Sequence, residues 1–386
     1  MNSKERFIAA LDRKTLPDRL PVTTHHVQPY FLNKYMNGIS SSEFFEYFGM
    51  DPILWITANS PDEKKQEYFD PTQKEPGFLE PRRICSKNWR IEPEIIQNKP
   101  HKIVRYRFIT PGKTLSMVLK SNEYTSWVSE NLVKEPSDIE IIAEYATIPK
   151  CDIKEVNRLA EDFGQKGLVR GFIPFFDVYG QSGCWQDAAV LYGIQNLIMK
   201  TFEDPLWVHH FLKILFIRKK VYIESMKRAK FDIIEHGGGD ASTTVISPQI
   251  FEDFVAPYDA ELITLAHQAG QRVVYHTCGG MMPVLETIAA MRPDAMETFT
   301  PKNMGGDTNL KEAKKRIGDK VCLIGGFDQY HYFNNCSPEK TRKSVRQCFE
   351  DAGKKGGFII CLSDHFFDAE IELIKAYADE AKSCLY

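Results

Sequence analysis

The stretch Arg272-Val-Val-Tyr-His276-Thr277-Cys278-Gly279-Gly280 reads as a short buried strand running into a glycine turn. On a strand, residues two apart point to the same face, so the His276 imidazole and the Cys278 thiolate converge on one point. Far downstream, Gly-Phe-Ile-Ile-Cys361-Leu-Ser is a second such strand and brings a third donor. One His and two Cys suit zinc. Three protein ligands leave a fourth position for water or substrate, which is the layout of a catalytic zinc site. The short spacing is unspecific in a chain with nine Cys and ten His, so its weight depends on where the three residues fall in the fold.

Around this stretch the chain repeats a strand-then-helix order. The expected strands are Arg19–Thr24, Pro52–Thr57, Gly167–Phe172, Phe231–Glu235, Arg272–His276, Asp294–Thr298, Lys320–Gly325 and Gly357–Cys361. Helix starts are expected at Ser137 with Glu140 as a capping box, at Ser247 before Pro248 and at Ser337 before Pro338. Alternation of this kind implies parallel pairing with right-handed crossovers, and eight units close into a (β/α)8 TIM barrel. His276 and Cys278 then end the fifth strand and Cys361 the eighth, all at the C-terminal mouth where barrel enzymes build their sites.

One stretch, Ser60 to Lys150, breaks the alternation. Within it Ile103–Ile109 and Leu115–Leu119 flank Thr110-Pro-Gly-Lys, an expected antiparallel hairpin inserted between the second and third strands. The expectation is a single domain, 1–386, with 60–150 as an inserted hairpin and helical segment near the mouth. Charge and composition exclude other classes: the net charge of −3 is mixed along the chain, and no basic stripe suits a nucleic acid. No run of about 18 apolar residues is present to cross a membrane. Nine scattered cysteines fit a reducing compartment, so a cytoplasmic protein is expected.

The sequence resembles the uroporphyrinogen decarboxylase superfamily, and within it the corrinoid-dependent methyltransferases. The resemblance rests on Lys4-Glu-Arg-Phe-Ile-Ala-Ala-Leu11, Pro17-Asp18-Arg19-Leu-Pro-Val22, Ile246-Ser-Pro-Gln-Ile-Phe-Glu-Asp-Phe-Val-Ala-Pro-Tyr258, His276-x-Cys278-Gly-Gly and Val321-Cys-Leu-Ile-Gly-Gly-Phe-Asp328. It implies a distorted barrel with zinc on His276, Cys278 and Cys361, and methyl transfer involving cobalamin. A corrinoid-binding module carries an Asp-x-His-x-x-Gly motif, and Asp364-His365-Phe-Phe has neither its spacing nor its sequel. The cobalamin is therefore expected on a separate corrinoid protein. A homodimer is compatible with the sequence. The decarboxylase itself holds tetrapyrrole carboxylates with arginines after the first strand, whereas the matching Thr23-Thr-His25-His26-Val-Gln28-Pro-Tyr30-Phe31 has none.

Further site residues follow from position at the mouth. Glu235 or Glu297 is a candidate fourth zinc ligand, or else a group that orients His276 by a hydrogen bond. His365 is a candidate general acid, with Asp364 and Tyr330 beside it. Tyr30, Phe172, Phe176, Tyr179 and Phe327 are candidate faces for a flat methoxylated aromatic donor. The zinc ligands serve either direction of transfer, so an O-demethylase component and a methylcobalamin:thiol methyltransferase both remain, as does a non-catalytic zinc-bearing barrel.

Overall fold

The computed structural model describes residues 1–60, 66–69, 82–176 and 179–386. The chain enters a parallel sheet with β1 (Ile53–Trp55) and leaves it for β2 (Asn59–Ser60), β3 (Gln66–Phe69), β4 (Arg82–Cys85), β5 (Arg90–Gln97), β6 (Lys102–Ile109), β7 (Thr114–Ser121), β8 (Ser126–Glu130) and β9 (Lys150–Cys151). It returns with β10 (Leu168–Phe172), β11 (Ile233–Gly237), β12 (Val273–His276), β13 (Ala295–Thr298), β14 (Cys322–Phe327) and β15 (Phe358–Leu362). The parallel order is β1-β10-β11-β12-β13-β14-β15. Seven of the eight expected barrel strands are thus strands within a residue or two of their expected limits.

The eighth, Arg19–Thr24, is extended chain rather than a regular strand. It lies between the two sheet edges: Ile360 donates to Pro21 O, Thr23 donates to Ile360 O, and Asp51 donates to Val22 O. A bridge pairs Val22 with Ile360. Pro21 has no N–H to offer, which limits the ladder on this segment. The seam nevertheless closes the α/β barrel.

Strand parity separates two cores. Ile53, Leu168, Ile233, Val274, Ala295, Cys322 and Ile359 belong to an inner cluster that also takes Phe7, Ala10 and Leu11 of α1 (Ser3–Asp12). That helix seals the barrel floor. Residues of the other parity pack outward against the helices in the larger cluster.

The insertion is more than a hairpin. Strands β5 to β8 form a four-stranded antiparallel meander that contains the expected hairpin as β6 and β7. At its neck β2 pairs with β9, Asn59 opposite Cys151, so the excursion leaves and rejoins the barrel at one place. The parts of the expected insertion at 61–65 and 70–81 lie outside the described residues. Ser247 and Ser337 cap their helices as expected, accepting from the N–H groups of Ile250 and Lys340. Ser137 does not: its side chain makes no cap bond, and the Asp138 carboxylate takes the N–H groups of Lys134 and Glu135 instead. The donor that a Ser137 cap would take, the Glu140 N–H, goes instead to the Ser137 carbonyl, because Ser137 is itself in the helical conformation.

Candidate active site at the barrel mouth

Two residues beyond the inner apolar layer, each strand presents its next inward side chain. Trp55, Arg170, Glu235, His276, Glu297 and Cys361 follow Ile53, Leu168, Ile233, Val274, Ala295 and Ile359 by two positions, on six strands. On four adjacent strands, β10 to β13, the step is from an apolar residue to an ionisable one, while the same position on β14 is the apolar Ile324. Cys278 lies two residues further along, beyond the end of β12.

The charged layer is tightly joined. Arg170 donates from Nη1 to Glu297 Oε2 at 2.9 Å and from Nη2 to Glu235 Oε2 at 2.7 Å, and Nη2 also bonds Glu297 Oε1. His276 Nδ1 meets Glu297 Oε1 at 2.8 Å. His25 Nδ1 stands 3.7 Å from Glu297 Oε2. Glu297 is wholly buried, so its charge depends on these partners.

The electrostatics follow from burial and neighbours. Burial disfavours the Glu297 charge, but Arg170, His25 and His276 outweigh it and hold the carboxyl well below its ordinary range. Burial also disfavours a charge on His276, yet Glu235, Cys278 and Glu297 raise its pKa well above the usual imidazole value. His25 has less compensation, and burial brings it down to about 3. Burial, then the Glu297 carboxylate, pushes the Cys361 thiol far above the usual range.

Among the described residues, one trio of side chains places ligand atoms within 4.8 Å of one another: Glu235, His276 and Glu297. The two cysteines of the expected zinc set stand outside that trio but adjoin it. Cys278 follows His276 by two residues, beyond the end of β12, and Cys361 is the fully buried inward residue of β15, where the Glu297 carboxylate acts on its thiol through charge. Imidazole, thiols and carboxylate together form a donor set that fits zinc. The fit at Cys278 is close: a Cβ on Gly239 would lie 2.7 Å from its Sγ.

The other expected site residues separate into two groups. Phe172 lies at the mouth, with its ring 6.5 Å from Trp55. His365 is there as well, 5.5 Å from the His26 ring, its Nδ1 buried without a partner; burial lowers its pKa. Tyr30 packs on Tyr124 of the insertion at 4.7 Å, and the Tyr179 hydroxyl donates to Ser126 O at 2.8 Å. The insertion therefore rests on the mouth. The rest are placed elsewhere. Phe327 is fully buried outside the barrel against Phe333 and Tyr377. Phe176 is buried beneath the insertion against Trp89 and Phe108. Tyr330 is 70% exposed, and Asp364 is exposed, accepting the His365 N–H.

Arg170, Trp55 and His25 have no part in the expectations from sequence. A signal was present for Arg170: a charge at an inward position of the otherwise apolar run Leu168-Val-Arg-Gly-Phe172. His25 had none, because its role depends on the closing seam.

A family model for uroporphyrinogen decarboxylase (URO-D) matches residues 176–383. This is more than half of the chain, and the chain belongs to that family. The uroporphyrinogen decarboxylase of Thioalkalivibrio sulfidiphilus is 26% identical over 189 residues, which cover 46% of this chain and 49% of that protein. The one from Aliivibrio salmonicida is 32% identical over 117 residues, 29% of this chain and 30% of that protein. The chain thus spans about half, or less, of the length of these curated relatives. A solved methyltransferase from Methanosarcina mazei superposes with a TM-score of 0.61 at 14% identity, covering 99% of both chains. That likeness shows a shared overall fold. No helix among the described residues is long and apolar enough to cross a membrane.

Proposed function

We propose that this protein is a zinc-dependent methyltransferase that moves a methyl group from an aryl methyl ether to the Co(I) corrinoid of a partner protein in the cytoplasm. The observation that carries the reading is the charged layer, which gathers an imidazole, a thiol and two carboxylates at one end of an apolar barrel. Residues 1–386 act as one barrel domain, with 60–150 inserted across the mouth.

In this reading His276, Cys278 and Cys361 hold the zinc and Glu235 is the fourth ligand. Both oxygens of Glu297 are engaged by Arg170, and Oε1 also by His276. Its role is therefore to keep a proton on Nδ1 and leave Nε2 as the donor atom. The bound metal supplies Lewis acidity that polarises the leaving oxygen. His365, half-buried beside His26, is the candidate to give that oxygen a proton, although burial favours its neutral form. Phe172, beside Trp55, offers a ring face to a flat donor. The corrinoid protein would dock over the same mouth.

The decarboxylase named for the curated relatives is the second reading. Against it, residues 23–31 bring His25 and His26 to the mouth and no guanidinium for the carboxylates of a tetrapyrrole. The test is metal analysis of the purified protein, then incubation with a Co(I) corrinoid protein and a panel of methoxylated aromatics. Spectral conversion to methylcobalamin supports the proposal. Reaction of methylcobalamin with thiols alone assigns the opposite direction and overturns the donor, and decarboxylation of uroporphyrinogen without metal overturns the whole reading.

A further inference from the structure

Arg170 is the cation of the charged layer, and it is 1% exposed. Its guanidinium lies over the Trp55 ring, 4.3 Å from the centroid. Two nitrogens reach Glu297 as a fork and one of them also reaches Glu235, while Nε has no partner. A planar fork fixes the plane of the carboxylate it grips, which a single ammonium point charge does not. The gripped carboxylate then meets His276 Nδ1.

We propose that Arg170 is a positioning residue for the metal site: through Glu297 it sets the ring orientation and tautomer of His276, and it holds Glu235 through Nη2, a nitrogen that also reaches Glu297. The inference rests on the metal reading above. Without Arg170, Glu297 is a buried anion whose remaining partners are two imidazoles. Such a carboxylate loses the fork that fixes its plane and turns towards water, which removes the acceptor that fixes His276.

The experiment is zinc affinity, read by competition with a chromophoric chelator, in the wild type and in Arg170→Met, Arg170→Lys, Glu297→Gln and the double variant Arg170→Met/Glu297→Gln. Loss of a partner behind a ligating histidine weakens metal binding by roughly 10–100-fold, and that is expected for Arg170→Met, with Arg170→Lys in between. The double variant removes the Arg170 and Glu297 charges together and leaves only the partly exposed Glu235 without its partner, so it should fold where a single variant fails. Its affinity should match the weaker single variant, because both substitutions break one chain of contacts. Arg6→Met, which removes ion pairs from α1 to Asp18 and Asp51 at the barrel floor, should lower stability and leave zinc affinity unchanged. Wild-type affinity in folded Arg170→Met, or fully additive losses in the double variant, would overturn the inference while leaving the metal reading intact. A wild type that binds no zinc overturns the metal reading itself.

Discussion

Two buried arginine–carboxylate clusters stand at opposite ends of the barrel, and they are built to different rules. At the floor, Asp51 receives Ser3 Oγ, Arg6 Nη1, both terminal nitrogens of Arg19 and the Val22 N–H. Arg6 completes its own set with Asp18 and Met1 O. Two guanidiniums surround one buried carboxylate and every lone pair is used. At the mouth one guanidinium serves two carboxylates, and Arg170 Nε, His25 Nε2 and His365 Nδ1 are buried without partners. A saturated cluster of this kind stabilises a fold; unpartnered buried donors beside unbalanced carboxylates mark a place where another group is meant to bind.

That contrast breaks first at Cys361. Cys361→Ala should abolish zinc content by elemental analysis and methyl transfer with it, while the unfolding midpoint in urea stays near that of the wild type. A large loss of stability with metal retained would make the mouth a second structural cluster. Asp51→Ala should do the reverse. It leaves Arg6 and Arg19 without their shared buried anion, and breaking a buried pair costs on the order of 3–5 kcal/mol. Urea unfolding measures the cost, and the protein that remains folded should bind zinc as before.

A smaller effect probes how closely the mouth is packed. Gly239→Ala places a methyl 2.7 Å from the Cys278 sulfur, which must then shift, and zinc affinity should fall on the order of 10-fold; an unchanged affinity would remove Cys278 from the ligand set. The smallest effect concerns Asp18. The hydrogen bond from Arg6, with the amino terminus adding to it, holds this carboxyl well below its ordinary value. A depressed folded-state pKa means that the contribution is complete above the ordinary carboxylate range and is lost as pH falls through that range towards the folded-state value. Asp18→Asn should therefore lower the neutral plateau slightly, the effect being small because the side chain is 42% exposed, and flatten the acid limb of a stability-against-pH curve below about pH 4, where the two proteins converge.

The barrel was legible because each parallel strand is a short apolar run bounded by turn residues, and periodicity at that scale is a local property. Val273–His276 and Phe358–Leu362 could be read in isolation. The segment Arg19–Thr24 could be read as extended but not as a seam, because its bonds are made to Ile360 and Asp51, far away in the chain. The motif Pro17-Asp18-Arg19, which carried part of the family resemblance, proved to belong to the floor cluster and not to the mouth. Aromatic residues misled for a related reason. Phe176 and Phe327 stand at strand ends in sequence, and parity and loop path turned both into core.

Sequence alone determined the fold class, the family and the inward face that His276, Glu235, Glu297 and Cys361 share, since side-chain alternation along a strand needs no tertiary knowledge. Only the folded structure decided which of these groups touch. It engaged both oxygens of Glu297 with Arg170 and His276, left Glu235 with the single bond to Arg170, and brought His25 in from the closing seam. Those assignments depend on register and shear between strands that are remote in sequence, and pairwise contacts of that kind are set by the whole barrel rather than by any one stretch.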